Sequence, residues 1–255
     1  MHTFWVTDSI LLLFGFVAAF IDSSVGGGGL ISLPTLLLLG LPPTIALGTN
    51  KLGGTMSAVT SFTNYARTGH VHFRLIRWLV PFGFVGAILG ATVVRHISPD
   101  FLRPIVVIML VVVAAYSIVR RRLGTVNTYI EGRKATFMGA CVASALLGFY
   151  DGFFGPGTGS FLILSFLLLG FDYIQASGNA KSVNLASNIG ALLTFVIAGD
   201  VAYADGFILG AGMMIGAFTG SQVAIRHGVK YIRPIFICIT FAMISQQLYQ
   251  LFIPH

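Results

Sequence analysis

The chain has 255 residues, of which 56% are hydrophobic and only 9% charged, where a soluble domain carries about 25% charged residues. Too few polar groups remain to cover a water-soluble globule, so a soluble enzyme is excluded and a polytopic membrane protein is expected. The formal charge of +7 then reads as loop lysine and arginine held in the cytoplasm, with no nucleic-acid partner.

The N-terminal segment MHTFWVTDSI carries no lysine or arginine ahead of the first apolar run, so it reads as the mature start and not as a cleaved leader. Apolar runs follow at 9–22, 29–40, 44–66, 72–94 and 101–119. A second set lies at 134–150, 156–170, 174–198, 203–225 and 232–252. The last three runs of each set approach the roughly 20 residues that a ~30 Å hydrocarbon core requires. The first two of each set are short, and a glycine stretch separates them: Gly26-Gly27-Gly28-Gly29 in one, Gly155-Pro156-Gly157-Thr158-Gly159 in the other. That pattern predicts paired half-helices or a re-entrant hairpin meeting near the membrane middle.

An offset of 130 residues superposes the two sets in order. Gly48-Thr-Asn-Lys51 falls on Gly178-Asn-Ala-Lys181, Gly86 and Gly90 fall on Gly216 and Gly220, and Arg103-Pro104 falls on Arg233-Pro234. Asp22 meets Asp151, and Arg95-His96 meets Arg226-His227, each with a one-residue slip. The expected fold is therefore an all-α integral membrane protein of two inverted-topology repeats. Each repeat holds a pair of short or broken half-helices plus three full transmembrane helices, over residues 1–124 and 134–255, with a cytoplasmic linker at 125–133. If each short pair enters and returns to one face, Arg67, Arg74, Arg77, Arg120, Arg121, Arg122, Arg133, Lys134, Arg226, Lys230 and Arg233 share a face, leaving Arg95 and Arg103 on the other. This bias orients the chain with both termini outside the cytoplasm.

Four charges stand in apolar surroundings: Asp22, Lys51, Asp151 and Lys181. Each costs about 2.5–3.5 kcal/mol at bilayer depth on insertion scales, so they must be paired or hydrated. One reading is an Asp–Lys bridge that staples each repeat. The other is that Lys51 and Lys181 attract an anion, with Asp22 and Asp151 in coupling or gating roles. The glycine stretches favour the second reading. Half-helices beginning at Gly29-Leu30 and Gly159-Ser160 would aim free N–H groups into the membrane centre, a ready anion site. Ser23, Ser24, Thr158 and Ser160 add hydroxyls beside them. Lys181, Asn184 and Asn188 share one helical face, Asn179 starts the same run, and Asn50, Lys51 and Thr55 match them in the first repeat. The candidate substrate residues are thus Ser23, Ser24, Gly26, Gly27, Gly28, Gly29, Asn50, Lys51, Gly155, Gly157, Thr158, Gly159, Asn179, Lys181 and Asn184. Gly83, Gly86, Gly90, Gly212, Gly216 and Gly220 read instead as close helix packing.

The histidines His2, His70, His72, His96, His227 and His255 fall at ends or in loops, and none faces a nucleophile or carboxylate at catalytic spacing. Cys141 and Cys238 lie far apart in apolar runs without a CxxC pattern. No enzyme activity, metal or cofactor is expected.

GGGGLISLPTLLLLG (26–40) followed by ALGTNKL (46–52) is similar to the first-half motif of the TauE/SafE family of sulfite exporter-like membrane transporters. GFYDGFFGPGTGSF (148–161) and ASGNAKSVNLASN (176–188) resemble the second-half motif of one branch of that family. The resemblance runs in order through nearly the whole chain. It implies secondary transport of a small sulfur-containing anion across the bacterial cytoplasmic (cell inner) membrane, with sulfite or a sulfonate such as sulfoacetate as substrate. It carries over to the glycine stretches, Asn50, Lys51, Lys181 and Asn184. Pro156 and Thr158 interrupt the second glycine stretch, so the two half-sites are not expected to bind identically. The rivals are a passive anion channel and a membrane-embedded enzyme. The partners expected are the lipid bilayer and the anion, and a homodimer is compatible with the small-residue faces. Cysteines placed singly at positions 125 and 205 test the orientation: the first is expected to react with an impermeant maleimide only from the cytoplasm, the second only from outside.

Overall fold

The computed structural model describes residues 2–98, 127–130 and 134–227, with single positions at 100, 101, 104 and 108. The apolar run expected at 232–252 and that at 101–119 apart from positions 101, 104 and 108, with Arg103, Arg120–Arg122, Arg133, Lys230, Arg233 and Cys238, lie outside the described residues. The described chain is all-helical: α1 (His2–Val25), α2 (Gly29–Leu38), α3 (Pro43–Arg67), α4 (Phe73–Arg95), α5 (Lys134–Phe153), α6 (Thr158–Leu168), α7 (Tyr173–Ala198) and α8 (Tyr203–His227).

Local chemistry sets these boundaries. Pro42 and Pro43 open α3, where a missing N–H costs nothing. The Asp172 carboxylate accepts from the amides of Ile174 and Gln175, both at 3.0 Å, and caps α7. Gly199, at φ 77°, closes α7 in the left-handed conformation that glycine adopts freely. Five helices, α1, α4, α5, α7 and α8, are long and apolar enough to cross a membrane. Helix α3 is just as long at 25 residues but less apolar. Its polar side chains Thr49, Asn50, Lys51, Ser57 and Ser61 are all buried. The polarity is thus turned inward while Trp78, Phe82, Val85 and Leu89 on α4 face outward, an arrangement suited to lipid and not to water.

The paired short helices are unequal. The first members, α1 and α5, are 24 and 20 residues long, and only α2 and α6, at 10 and 11 residues, are half-length. Hydropathy underestimates α1 because its helix continues through the polar ends, including Asp8 and Asp22 to Ser24.

Helix directions follow from residue contacts. A Cβ built on Gly212, Gly216 or Gly220 would stand 2.2, 2.1 or 2.2 Å from the carbonyl oxygen of Leu12, Phe16 or Phe20. Both registers rise together, so α1 and α8 are parallel. Gly86, Gly90 and Gly152 meet the carbonyls of Ala145, Phe149 and Ala87 in the same manner, making α4 and α5 parallel. These approaches are closed to any residue with a side chain and are suited to Cα–H···O contact. Gly206 and Gly210 lie against Leu52 and Met56, so α3 also runs with α8. Gly48 meets the Asp200 carbonyl while Gly178 meets that of His70, so α3 and α7 are antiparallel. Because α1 and α3 point the same way, α2 returns the chain to the end from which α1 came. By the same logic α6 returns it after α5.

The two halves repeat their contacts at the 130-residue offset. The Ala202 amide donates to Thr49 Oγ1 at 2.9 Å, and the His72 amide donates to Asn179 Oδ1 at 2.8 Å. Arg67, Arg74, Arg77, Lys134 and Arg226 gather at one end of the bundle. At the other end Arg95 Nε meets Asp200 Oδ2 at 2.6 Å.

The carbonyl contacts make a sharp expectation. Gly90→Ala forces a Cβ to 2.0 Å from the Phe149 oxygen and is expected to cost about 1–3 kcal/mol through overpacking. Gly139→Ala, where a Cβ meets nothing within 4 Å, is expected to be neutral or slightly stabilising. Thermal unfolding in detergent distinguishes the two, and equal midpoints would refute the packing.

Candidate functional site

Both helix breaks are made by glycines at positive φ: Gly26 (75°) and Gly27 (98°) in the first, Gly155 (99°) and Gly157 (84°) in the second. Only glycine adopts such angles without strain. The breaks also cross one another. A Cβ on Gly26 would lie 2.2 Å from the Ser160 amide nitrogen, and one on Gly29 would lie 2.9 Å from Pro156 Cα. Ser160 Oγ donates to the Val25 carbonyl at 2.9 Å and pins the crossing.

The crossing carries each aspartate into the other half. Lys51 Nζ lies 2.9 Å from Asp151 Oδ1, and Ser187 Oγ donates to Asp151 Oδ2 at 2.6 Å. Lys181 Nζ pairs with Asp22 Oδ2, while Asp22 Oδ1 accepts the Gly28 amide at 3.1 Å. A bridge stapling each repeat to itself is therefore not what forms: both bridges join the repeats to each other. The lysines and Asp151 are almost fully buried, but the Asp22 side chain keeps 23% of its exposure. Removing one partner of such a pair leaves a buried charge, which is where the energetic penalty concentrates.

A cavity of about 40 Å³ lies between the breaks, room for roughly three waters. Of the candidate residues, Gly28, Gly29, Asn50, Lys51, Gly155, Gly159 and Asn184 line it, with Asp22 and Asp151. Gly26, Gly27 and Gly157 shape the breaks without lining it. Lys181 reaches the site through Asp22. The remaining hydroxyls and amides turn elsewhere. Ser23 and Ser24 donate to the Phe20 carbonyl at 3.1 and 2.9 Å, Ser24 also donates to Gly220, and Thr158 donates to the Gly155 carbonyl at 2.7 Å. Helical serine and threonine often spend their hydroxyls on nearby carbonyls in this way. Asn179 holds the loop amide of His72 and leaves its own Nδ2 buried without a partner.

The cavity also takes Ser32, Gly54, Ser57, Asn188 and Met213. Ser32 Oγ donates to Asn50 Oδ1 at 2.6 Å, and Asn188 Nδ2 donates to the Asn184 carbonyl at 2.7 Å. Gly54 makes room for Asn188, whose Oδ1 lies 2.8 Å from where a Cβ would stand. A signal for three of these was present in the sequence: Asn188 shares the helical face of Lys181 and Asn184, and Gly54 and Ser57 follow Asn50 at helical spacing. Nothing comparable pointed to Met213. Among the described residues no cluster of metal-ligating side chains forms.

The crossed pairing is testable by mutant cycles. Lys51→Met leaves Asp151 without its cation and is expected to cost about 3–5 kcal/mol, most of it recovered in Lys51→Met/Asp151→Leu. Lys51→Met/Asp22→Leu, within one half, is expected to lose the sum of both single effects. Recovery in the second combination and not the first, read by unfolding midpoints, would place the bridges within the halves.

With this geometry in view, comparison with known proteins is consistent. The family described as sulfite exporter TauE/SafE matches residues 11–246. A Sinorhizobium protein named "Probable membrane transporter protein ORF9" is 37% identical over 236 residues, 92% of this chain and 90% of the relative. A Haemophilus influenzae protein named "Probable membrane transporter protein" is 35% identical over 94% of each chain. The Escherichia coli K12 protein "Probable membrane transporter protein YfcA" is 36% identical, over 94% of this chain and 89% of its own. No solved structure matches. The chain belongs to the sulfite exporter TauE/SafE family.

Proposed function

We propose that this membrane transporter exports a small oxyanion, sulfite or an organosulfonate such as sulfoacetate, from the bacterial cytoplasm. The observation that carries the reading is the central cavity, where two broken helices and Lys51 converge with Asn50, Ser57 and Asn184. The starts of α2 and α6 bring backbone N–H groups toward that point, and helix N-termini attract anions. Lys51 places an ammonium at the wall, paired with Asp151, and Lys181 stands behind Asp22, which pairs with it. The cavity is small, which favours a compact solute. Its closure by two ion pairs joining the halves supports alternating access over a continuous channel, because the pairs must rearrange for a solute to pass.

The antiparallel course of α3 and α7 supports two inverted repeats, over 1–124 and 134–255. The arginine-rich end with Arg67, Arg74, Arg77, Lys134 and Arg226 is the cytoplasmic one, and the end with Arg95 and Asp200 faces out. The start of α1 then lies outside the cytoplasm.

Uptake into proteoliposomes with sulfite, sulfoacetate, taurine, sulfate and thiosulfate tests the reading. At least one sulfur oxyanion is expected to be carried, with saturation and counterflow. Lys51→Ala and Lys181→Ala are each expected to lose more than about tenfold in flux, equivalent to about 1.4 kcal/mol. Asn184→Ala orphans no charge and is expected to weaken half-saturation by roughly the value of one hydrogen bond, about 0.5–1.5 kcal/mol. Undiminished flux in both lysine variants would remove the anion site.

A further inference from the structure

The described centre is electrically balanced before a substrate arrives. Lys51 and Lys181 are its cations, Asp151 and Asp22 its anions, and every positive charge already has a carboxylate. The other cavity walls are neutral. An oxyanion entering this centre would leave a net negative charge in a poorly solvating interior, which is strongly disfavoured. The imbalance vanishes if one carboxylate takes up a proton as the anion binds.

The two carboxylates are not equivalent in this respect. Asp151 is sealed, with 3% of its side chain exposed and both oxygens engaged, by Lys51 at 2.9 Å and Ser187 at 2.6 Å. Asp22 lines the cavity and keeps 23% exposure. Its two donors are the Lys181 ammonium and the Gly28 amide, which leads into α2. An ammonium and an amide at a helix start are also the donors that an oxyanion seeks. Asp22 is a resident anion in the substrate's place.

We infer that Asp22 is the proton carrier of the transport cycle: its carboxylate and the substrate oxyanion compete for Lys181 and the Gly28 amide. The inference rests on the anion-transport reading above. A proton from water on the open side neutralises Asp22, and Lys181 and Gly28 turn to the anion. On the other side the anion leaves, Asp22 gives its proton to water, and the bridge to Lys181 re-forms. The loaded and empty centres then differ by no net charge for a monoanion. The surroundings of Asp22 suit this role. Lys181 faces it from α7, and Lys51 with Asp151 faces it across the cavity from α3 and α5. The hydroxyls of Tyr65 and Tyr173 donate to the carbonyls of Ser23 and Ser24 at 2.8 and 3.0 Å. Around the cavity α2, α6 and α8 present Gly28, Gly29, Ser32, Gly159 and Met213, none of which titrates. By linkage, proton and anion must strengthen each other's binding by the same factor, so anion affinity rises as proton concentration rises.

The full chain in proteoliposomes loaded with a pH-sensitive dye tests this, using the same sulfur-anion panel with the buffering of sulfite itself subtracted. In the wild type, an anion gradient is expected to drive protons in the direction of the anion, and apparent anion affinity is expected to be roughly tenfold tighter in acidic than in alkaline medium, within the usual range of site coupling. In Asp22→Asn, whatever exchange persists is expected to lose its pH dependence, and anion-driven proton movement is expected to fall by about tenfold or more. Asp22→Glu is expected to restore both. Asp151→Asn is expected to keep the pH dependence of the exchange that it supports. A wild type that moves an anion without protons overturns this inference and leaves the transport reading standing, and that measurement decides even if Asp22→Asn fails to insert. Proton movement that survives in Asp22→Asn, or is lost in Asp151→Asn alone, also overturns it. A wild type that moves no member of the panel overturns both.

Discussion

A charge at membrane depth must find a partner, and in this protein it finds that partner in the opposite half of the chain. Lys51 reaches Asp151 and Lys181 reaches Asp22, so each half pairs its charges with those of the other. Each aspartate sits at the end of a helix that precedes a glycine break, and each lysine lies two turns into the helix that follows the short return. The pairs therefore tie the position of each break to the helix α3 or α7 of the other half. A change that separates the halves must also exchange or neutralise these partners, which links the electrostatics of the centre to any movement between them.

Close backbone approach is what allows the crossing. The glycines of α4 and α5, and those of α8 against α1, let carbonyl oxygens occupy the space a side chain would fill. Packing of this kind needs no hydrophobic driving force, which lipid does not supply between helices. It also brings the two breaks into contact at Gly26, Gly29, Pro156 and Ser160, so the half-helices end on each other and not in hydrocarbon. Irregular backbone at this depth is tolerated because it is enclosed by protein or lines the cavity. The Ser24 and Ser160 hydroxyls serve this enclosure by donating to the carbonyls of Gly220 and Val25 on neighbouring helices.

Much of the design was legible in the sequence. The 130-residue offset that superposes Gly48–Lys51 on Gly178–Lys181 reappears as matched contacts at Thr49 and Asn179. The face carrying Lys181, Asn184 and Asn188 follows from helical spacing, although Lys181 itself turns toward Asp22 and not into the cavity. Less was legible for the small polar residues. Ser23, Ser24 and Thr158 have the right chemistry and neighbourhood for a ligand, but a hydroxyl rotates about one bond and takes the nearest carbonyl. Asn179 occupies the place in the second half that Thr49 holds in the first, where a loop amide needs an acceptor. Neither preference is written in spacing.

The sequence by itself determined the membrane class, the 130-residue offset between matching motifs, the two helix breaks and the four charges set in apolar runs. These depend on composition and on local backbone preference, which neighbouring residues express without help from the rest of the chain. The tertiary structure alone decided which aspartate meets which lysine, which polar groups face the cavity and which are spent on backbone, and that the Asp22 side chain stays partly exposed while that of Asp151 is buried. Those outcomes depend on two breaks crossing at glycine contact, a relation between segments more than a hundred residues apart that no local pattern encodes.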